Sequence, residues 1–203
     1  MADQYYPRFP PTLASQHPPE TQSYAQRAED NVFKAFGENG SLITYQHPNG
    51  GLIGPFPIII ASKEIGESVL AAPQTLAKLS TIPDDAKEVA ILVVGAKFDC
   101  AYEQYAHRNI ATKKSLLTEQ QCADIRAQRK PEGLSEAASV TYDAAFHLAN
   151  QKGPLPTGVF KEWVKALGSK ESMLVMTHYI GIYCHVCVLM NMADTPLPPG
   201  ETH

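Results

Sequence analysis

Apolar side chains recur at helical spacing along almost the whole chain. Between Glu20 and Phe36, the residues Tyr24, Ala28, Val32, Phe33 and Phe36 fall on one side of a helix, and Gly37 with Gly40 supplies the stop. Residues 57–79 read as one or two helices interrupted near Pro73. The run Ile58–Ile60 has strand character alone, but the surrounding Ala, Ser, Lys, Glu and Leu favour helix. Pro83-Asp84-Asp85 opens a helix with carboxylates where the dipole favours them, and that helix carries Glu88 and the apolar run Val89–Val94. A helix bearing Cys100, Glu103 and His107 follows. Thr118 with Gln121 has capping-box form for a short helix through Ala127. Ser135 caps the next, with Ala138, Tyr142, Ala145, Phe146 and Ala149 on one face and Gly153-Pro154 at its end. Thr157 starts a helix through Trp163 and Leu167, stopped by Gly168. The last helix, from about Ser169 to Met192, is apolar nearly all round, which predicts a place in the middle of a core or at an oligomer interface. No turn is flanked by alternating strands and no internal repeat occurs, so the predicted class is all-α.

The ends read differently. Residues 1–19 hold Pro7, Pro10, Pro11, Pro18 and Pro19, which predicts a non-helical, extended arm, and Tyr5, Tyr6 and Phe9 predict that it docks on a neighbouring surface. Residues 20–195 form the predicted helical domain, and 196–203 a disordered tail. With 203 residues, 44% of them hydrophobic, the chain is long enough to bury a sizeable core. A net charge of −4 leaves no electrostatic footprint for nucleic acid, and no run of Lys and Arg favours an anionic membrane. The N-terminus lacks the pattern of a secretory signal, and runs such as Val89–Val94 fall far short of the ~20 residues that span a bilayer. These features predict a soluble, cytoplasmic protein without a nucleic-acid or membrane partner. Cys100, Cys122, Cys184 and Cys187 are too sparse for a disulfide scaffold and predict free thiols, unless Cys184 and Cys187 act as a redox pair.

The candidate chemistry lies in EVAILVVGAKFDCAYEQYAH, Glu88 to His107. If 100–107 is helical, Cys100, Glu103 and His107 fall within roughly 60° of one another at about 100° per residue. A carboxylate beside an imidazole on a partly buried face can pass a proton either way. Glu88 in an unbroken helix points about 120° away from Cys100, and joins only if the chain bends near Gly95–Asp99 or a neighbouring subunit comes close. Otherwise it is a carboxylate favoured at a helix start. Cys100 reads as a nucleophile or as a small apolar filler. Tyr102 and Tyr105 flank the site on other faces. Cys184-His185-Val186-Cys187 has redox spacing, or with His178 supplies soft ligands for zinc, but sits in a very apolar helix where packing thiols are the simpler reading. His178 and His185 share a face and are candidates to line a pocket. His47 has no evident partner.

This spacing resembles that of the carboxymuconolactone decarboxylase and alkylhydroperoxidase D superfamily: a glutamate, a reactive position twelve residues on, a second three beyond, and a histidine four further. Here those positions are Glu88, Cys100, Glu103 and His107. Gly54-Pro55-Phe56, within NGGLIGPFPIII, resembles a segment of the decarboxylase-like branch, and LLTEQQCADI resembles the short helix after the site. The resemblance covers roughly residues 40–195. It implies an all-helical subunit assembled as a homotrimer or homohexamer, with no bound cofactor or metal. Gly54, Pro55, Phe56, Tyr102, His178 and His185 are the candidate substrate-binding residues. The peroxidase branch has Cys-x-x-Cys where this chain has Cys100 and Glu103, so a peroxidatic thiol lacks its local resolving partner. The implied activity is acid–base chemistry on a small oxygenated acid, lactone or polyketide-type metabolite, including secondary metabolism. A thiol peroxidase or disulfide reductase, and a non-catalytic oligomeric scaffold, are the alternatives.

Overall fold

A computed structural model describes residues 7–201 except 80 and 152, so Tyr5 and Tyr6 of the arm lie outside the described residues. Residues 7–13 lie against the turn at 46–52, where Asn49 Nδ2 donates to the Pro11 carbonyl at 3.1 Å. A Cβ on Gly51 would stand 2.7 Å from the backbone of Pro11 and Thr12, so only glycine permits this approach. Phe9 packs against the core, as a docked arm requires. The arm is not extended throughout: Ala14–Gln16 make one 3-10 turn, in a stretch free of proline.

Helix α1 (Pro19–Phe36) starts with proline in its first turn and ends at Gly37, whose φ of 71° suits glycine. Then come α2 (Phe56–Ala61) and α3 (Lys63–Leu76). The break between them is at Ser62 rather than near Pro73, which sits inside α3. The Gly66 amide donates to the Ser62 carbonyl at 2.6 Å, and Gly66 presses so closely on α2 that a Cβ would stand 2.1 Å from the Ile59 carbonyl oxygen. That close approach, not proline, folds the chain back.

Helix α4 (Asp84–Lys97) is buried from Glu88 through Ala96. It is the central post, packed against α5 (Ala101–Lys113), α6 (Glu119–Arg126), α7 (Glu136–Asn150) and α9 (Lys170–Ala193), with α8 (Thr157–Leu167) outside against α7 and α9. Its all-round apolar composition follows from that position. The Thr118 and Gln121 capping box is present, and Ser135 accepts the Ala138 amide, as the sequence predicts.

Of the two places that the composition of α9 predicts, the middle of the core is not the one it takes: one side packs inward through Met176, Tyr179, Ile180, Val186, Cys187 and Met190, while Leu174, Val188 and Met192 face outward. By length and composition alone it is also able to cross a bilayer. The segment after α9 turns back onto the core. Thr195 N donates to the Met190 carbonyl at 3.0 Å, and Pro198 is fully buried. Among the described residues there is no strand, only one antiparallel bridge between Gln46 and Leu52. The fold is all-α.

Candidate active site

The site is built by one turn. Helix α4 closes in a Schellman motif: Cys100 N donates to the Gly95 carbonyl at 3.0 Å and Asp99 N to that of Ala96 at 3.3 Å, with Asp99 left-handed at φ 46°. Gly95 lets the returning helix come close, since a Cβ there would stand 3.2 Å from Gln104 Cγ. Helix α5 therefore folds back along α4, and Glu88 and His107 meet. The bend at Gly95–Asp99 that the sequence leaves open is present, and it carries Glu88 into the site.

His107 is held between two carboxylates. Its Nδ1 lies 2.7 Å from Glu88 Oε2 and its Nε2 3.2 Å from Glu103 Oε1. All three side chains are buried. Burial alone opposes a charged ring, but the Glu88 charge and the hydrogen bonds with Glu103 and Glu88 outweigh it and raise the His107 pKa to about 10. With both ring nitrogens facing carboxylates, the imidazolium donates both protons. The ring of Tyr183 from α9 stands edge-on to His107, centroids 5.0 Å apart at 89°. Burial, then the charges of Glu103 and Glu88, push the Tyr183 phenol well above its ordinary value, which keeps it a neutral donor.

These groups open into a cavity of about 350 Å³. Val32, Phe36, Ile59 and Ile182 contribute apolar wall, while Lys87 and Lys114 add positive charge. Lys87 is half-buried, yet its bond to Asp84 and the Glu88 charge hold its pKa above the usual range. Pro55, Phe56 and Tyr102 line the cavity. The Tyr102 hydroxyl is committed to the Thr44 carbonyl at 2.9 Å, so Tyr102 offers its ring. Gly54, at φ 73°, does not line the cavity; a Cβ there would stand 2.4 Å from the Tyr102 ring, so its role is to let that ring in.

The placement of Cys100, His178 and His185 needs correction. Cys100 is not on the face of Glu103 and His107, because it is the extended N-cap of α5 rather than a helical residue, and it does not line the cavity. Its thiol instead meets Cys187, whose own pKa is raised by that hydrogen bond and by burial. All four cysteines are free thiols. His178 and His185 are exposed on the outer side of α9 and line no part of the cavity, since α9 turns Tyr179, Ile182, Tyr183 and Val186 inward. Among the described residues no group of His, Cys, Asp and Glu is placed to hold a metal ion, so the His178, Cys184 and Cys187 ligand set does not assemble. His47 has a local task, its Nδ1 accepting the Asn49 amide at 3.3 Å. Sequence reasoning missed Lys87, Lys114 and Tyr183; helical spacing alone puts Tyr183 four residues after Tyr179 on the inward side of α9.

No protein-family model and no curated protein matches this sequence. Solved structures do match in fold. An uncharacterized peroxidase-related protein with an alkylhydroperoxidase D core, from Ralstonia eutropha JMP134, superposes with a TM-score of 0.73 at 10% identity, over 97% of this chain and 94% of its own. The debrominase Bmp8 superposes at 0.68 with 14% identity, over 93% and 91%. A cysteine-to-alanine variant of Bmp8 in complex with 2,3,4-tribromopyrrole gives 0.67 and 13%, over 93% and 92%. The nine α-helices among the described residues, the coverage of more than nine-tenths of both chains and these superpositions agree: the chain has the alkylhydroperoxidase D-like fold.

Proposed function

We propose that this protein is an enzyme that uses its own side chains for acid–base chemistry at carbon next to a carbonyl group. Decarboxylation, or a related isomerisation, dehydration or cyclisation through an enol, is the reaction type. The observation that carries this reading is the composition of the cavity: Glu88, Glu103, His107 and Tyr183 face it, and no cysteine is among its described lining residues.

The two carboxylates have different tasks. Glu88, at 2.7 Å, is the tighter partner and holds the ring in place and charged. Glu103, at 3.2 Å, is the looser one, so Nε2–H is the proton free to move. In a decarboxylation the bond to CO2 breaks and its electron pair passes to the carbonyl oxygen as an enolate. The Tyr183 phenol donates a hydrogen bond to that oxygen, and the imidazolium, directly or through Glu103, protonates the carbon. Lys87 and Lys114 suit an acidic group on the substrate, and the apolar wall suits a hydrophobic ring or alkyl body.

The test is a panel of small β-keto acids and lactone acids in D2O, followed by NMR for deuterium entering the carbon and by CO2 release. Turnover that depends on His107 and Glu103 supports the reading; hydroperoxide consumption with a dithiol reductant, lost in Cys100→Ala, refutes it.

A further inference from the structure

Helix α5 works on two faces. Glu103, Ala106, His107 and Ile110 line the cavity described above, while Ala101, Gln104, Tyr105 and Arg108 line a second one of about 120 Å³. The second set is spaced i, i+3, i+4 and i+7, a stripe roughly 150° around the helix from the first. Leu92 of α4 and Leu197 after α9 supply apolar wall, and the exposed Glu119 of α6 and Glu201 complete it. Glu88, Glu103, His107 and Tyr183 do not face this space. One water needs only ~10–15 Å³ of such volume, so the cavity has room for a ligand of several heavy atoms.

Gln104 selects the ligand. It is 7% exposed, and its Oε1 is buried without a hydrogen-bond partner. Its Nε2 donates to the Gly95 carbonyl at 3.4 Å, which fixes the amide's orientation, because the oxygen placed there would meet another acceptor. A buried acceptor left bare in this way calls for a donor. One turn along the same stripe is Arg108. Its Nε stands 3.4 Å from Glu119 Oε2, with side chains 48% and 67% exposed, so the pair is weak and the terminal guanidinium nitrogens can serve a carboxylate. Residues four apart on a helix have Cβ atoms about 6 Å from each other, a span that a donor and a carboxylate on neighbouring carbons bridge. The donor is a hydroxyl rather than an ammonium, since one neutral oxygen does not offset the burial of a charge. Glu119 and Glu201 repel a second carboxylate.

We infer that this second cavity binds a small 2-hydroxy monocarboxylate, its hydroxyl donating to Gln104 Oε1 and its carboxylate held by Arg108. The bound molecule reaches the turn that builds the catalytic site, since the Gly95 carbonyl accepts from both Gln104 Nε2 and, at 3.0 Å, Cys100 N.

Titration of the isotope-labelled full chain with lactate, followed by NMR, tests this. Lactate is expected to move the Gln104 side-chain amide and the Gly95 and Cys100 backbone amides together, with saturation in the millimolar range. Propionate lacks the hydroxyl, lactamide lacks the carboxylate and malate adds a second one, so each is expected to bind at least about tenfold more weakly. Arg108→Gln, a change on an exposed side chain, is expected to weaken lactate by a similar factor. Gln104→Leu is expected to abolish the preference for lactate over propionate, and Arg108→Gln carries the test should that variant fail to fold. No saturable shift below about 50 mM, equal binding of the four molecules, or lactate binding that Arg108→Gln leaves unchanged overturns the inference. So does binding that moves the His107 and Tyr183 signals instead and is lost in Lys114→Gln, which puts lactate in the first cavity. The acid–base reading stands or falls separately, because no turnover is measured.

Discussion

His107 Nδ1 and Glu88 Oε2 stand 2.7 Å apart although nineteen residues separate them, and the contact is buried. Removing one member of such a pair leaves the other charged or polar in a dry site. Glu88→Gln is expected to lose about 2–4 kcal/mol of unfolding free energy in urea melts, with Glu103 still holding the other nitrogen. A loss below about 0.5 kcal/mol means that the contact does not persist in solution.

The pH dependence of stability follows from the same ring. The folded pKa of about 10 lies above the ordinary 6.5. Its stabilisation is therefore complete below pH 6.5 and declines as pH rises to 10, at up to about 1.4 kcal/mol per pH unit. Urea midpoints from pH 6 to 10 should show the fall, and His107→Gln should flatten it. Turnover should persist to about pH 10, and its alkaline limb should move down in Glu88→Gln.

In the proposed reaction Glu103 and His107, 3.2 Å apart, move one proton, so their losses should not multiply. Glu103→Gln and His107→Ala are each expected to lower kcat by about 10²–10⁴, and the double variant to lose little more. Multiplicative losses in folded variants would mean that they act separately.

The buried thiols should prove dispensable for that chemistry. Cys100→Ala and Cys187→Ala are expected to keep kcat within about tenfold, and a hundredfold loss, about 2.7 kcal/mol, would transfer the reaction to the thiol pair. In native protein, Ellman's reagent should reach Cys184 first, since Cys100, Cys122 and Cys187 are buried.

Two glycines should respond oppositely to one substitution. Gly66→Ala puts a methyl 2.1 Å from the Ile59 carbonyl oxygen and should cost more than about 2 kcal/mol. Gly158→Ala, in α8 with nothing within 4 Å, should gain up to about 1 kcal/mol. Thermal melts of the two variants check both signs.

Most helices were legible because caps and periodicity are local signals: Gly37, Asp84, Thr118, Ser135 and Gly168 mark ends that the structure keeps. Glu103 and His107 were legible as an i,i+4 pair for the same reason. What failed depended on the third dimension. The contact of Gly66 with Ile59, which breaks the chain at Ser62, leaves no trace in composition, and Pro73 near the end of α3 drew attention from it. Cys100 was misplaced because the second helix was begun one residue early: it starts at Ala101, and Cys100 is its extended N-cap, next to the left-handed Asp99. His178 and His185 were assigned inward because an apolar helix has no polar face to fix its rotation; Tyr183 takes the place expected of them.

The turn at Asp99 sets the tolerance of the whole site. His107 lies about 11 Å along α5 from Cys100 at 1.5 Å per residue, so a ~5° error in the angle between helices displaces its ring by about 1 Å. Displacements of that size are enough to cost a reaction a hundredfold. Asp99 touches neither Glu88 nor the substrate space, yet its φ of 46° acts as the fulcrum of a lever. A residue such as valine there, which resists positive φ, would blur the alignment without altering a single chemical group that performs the reaction.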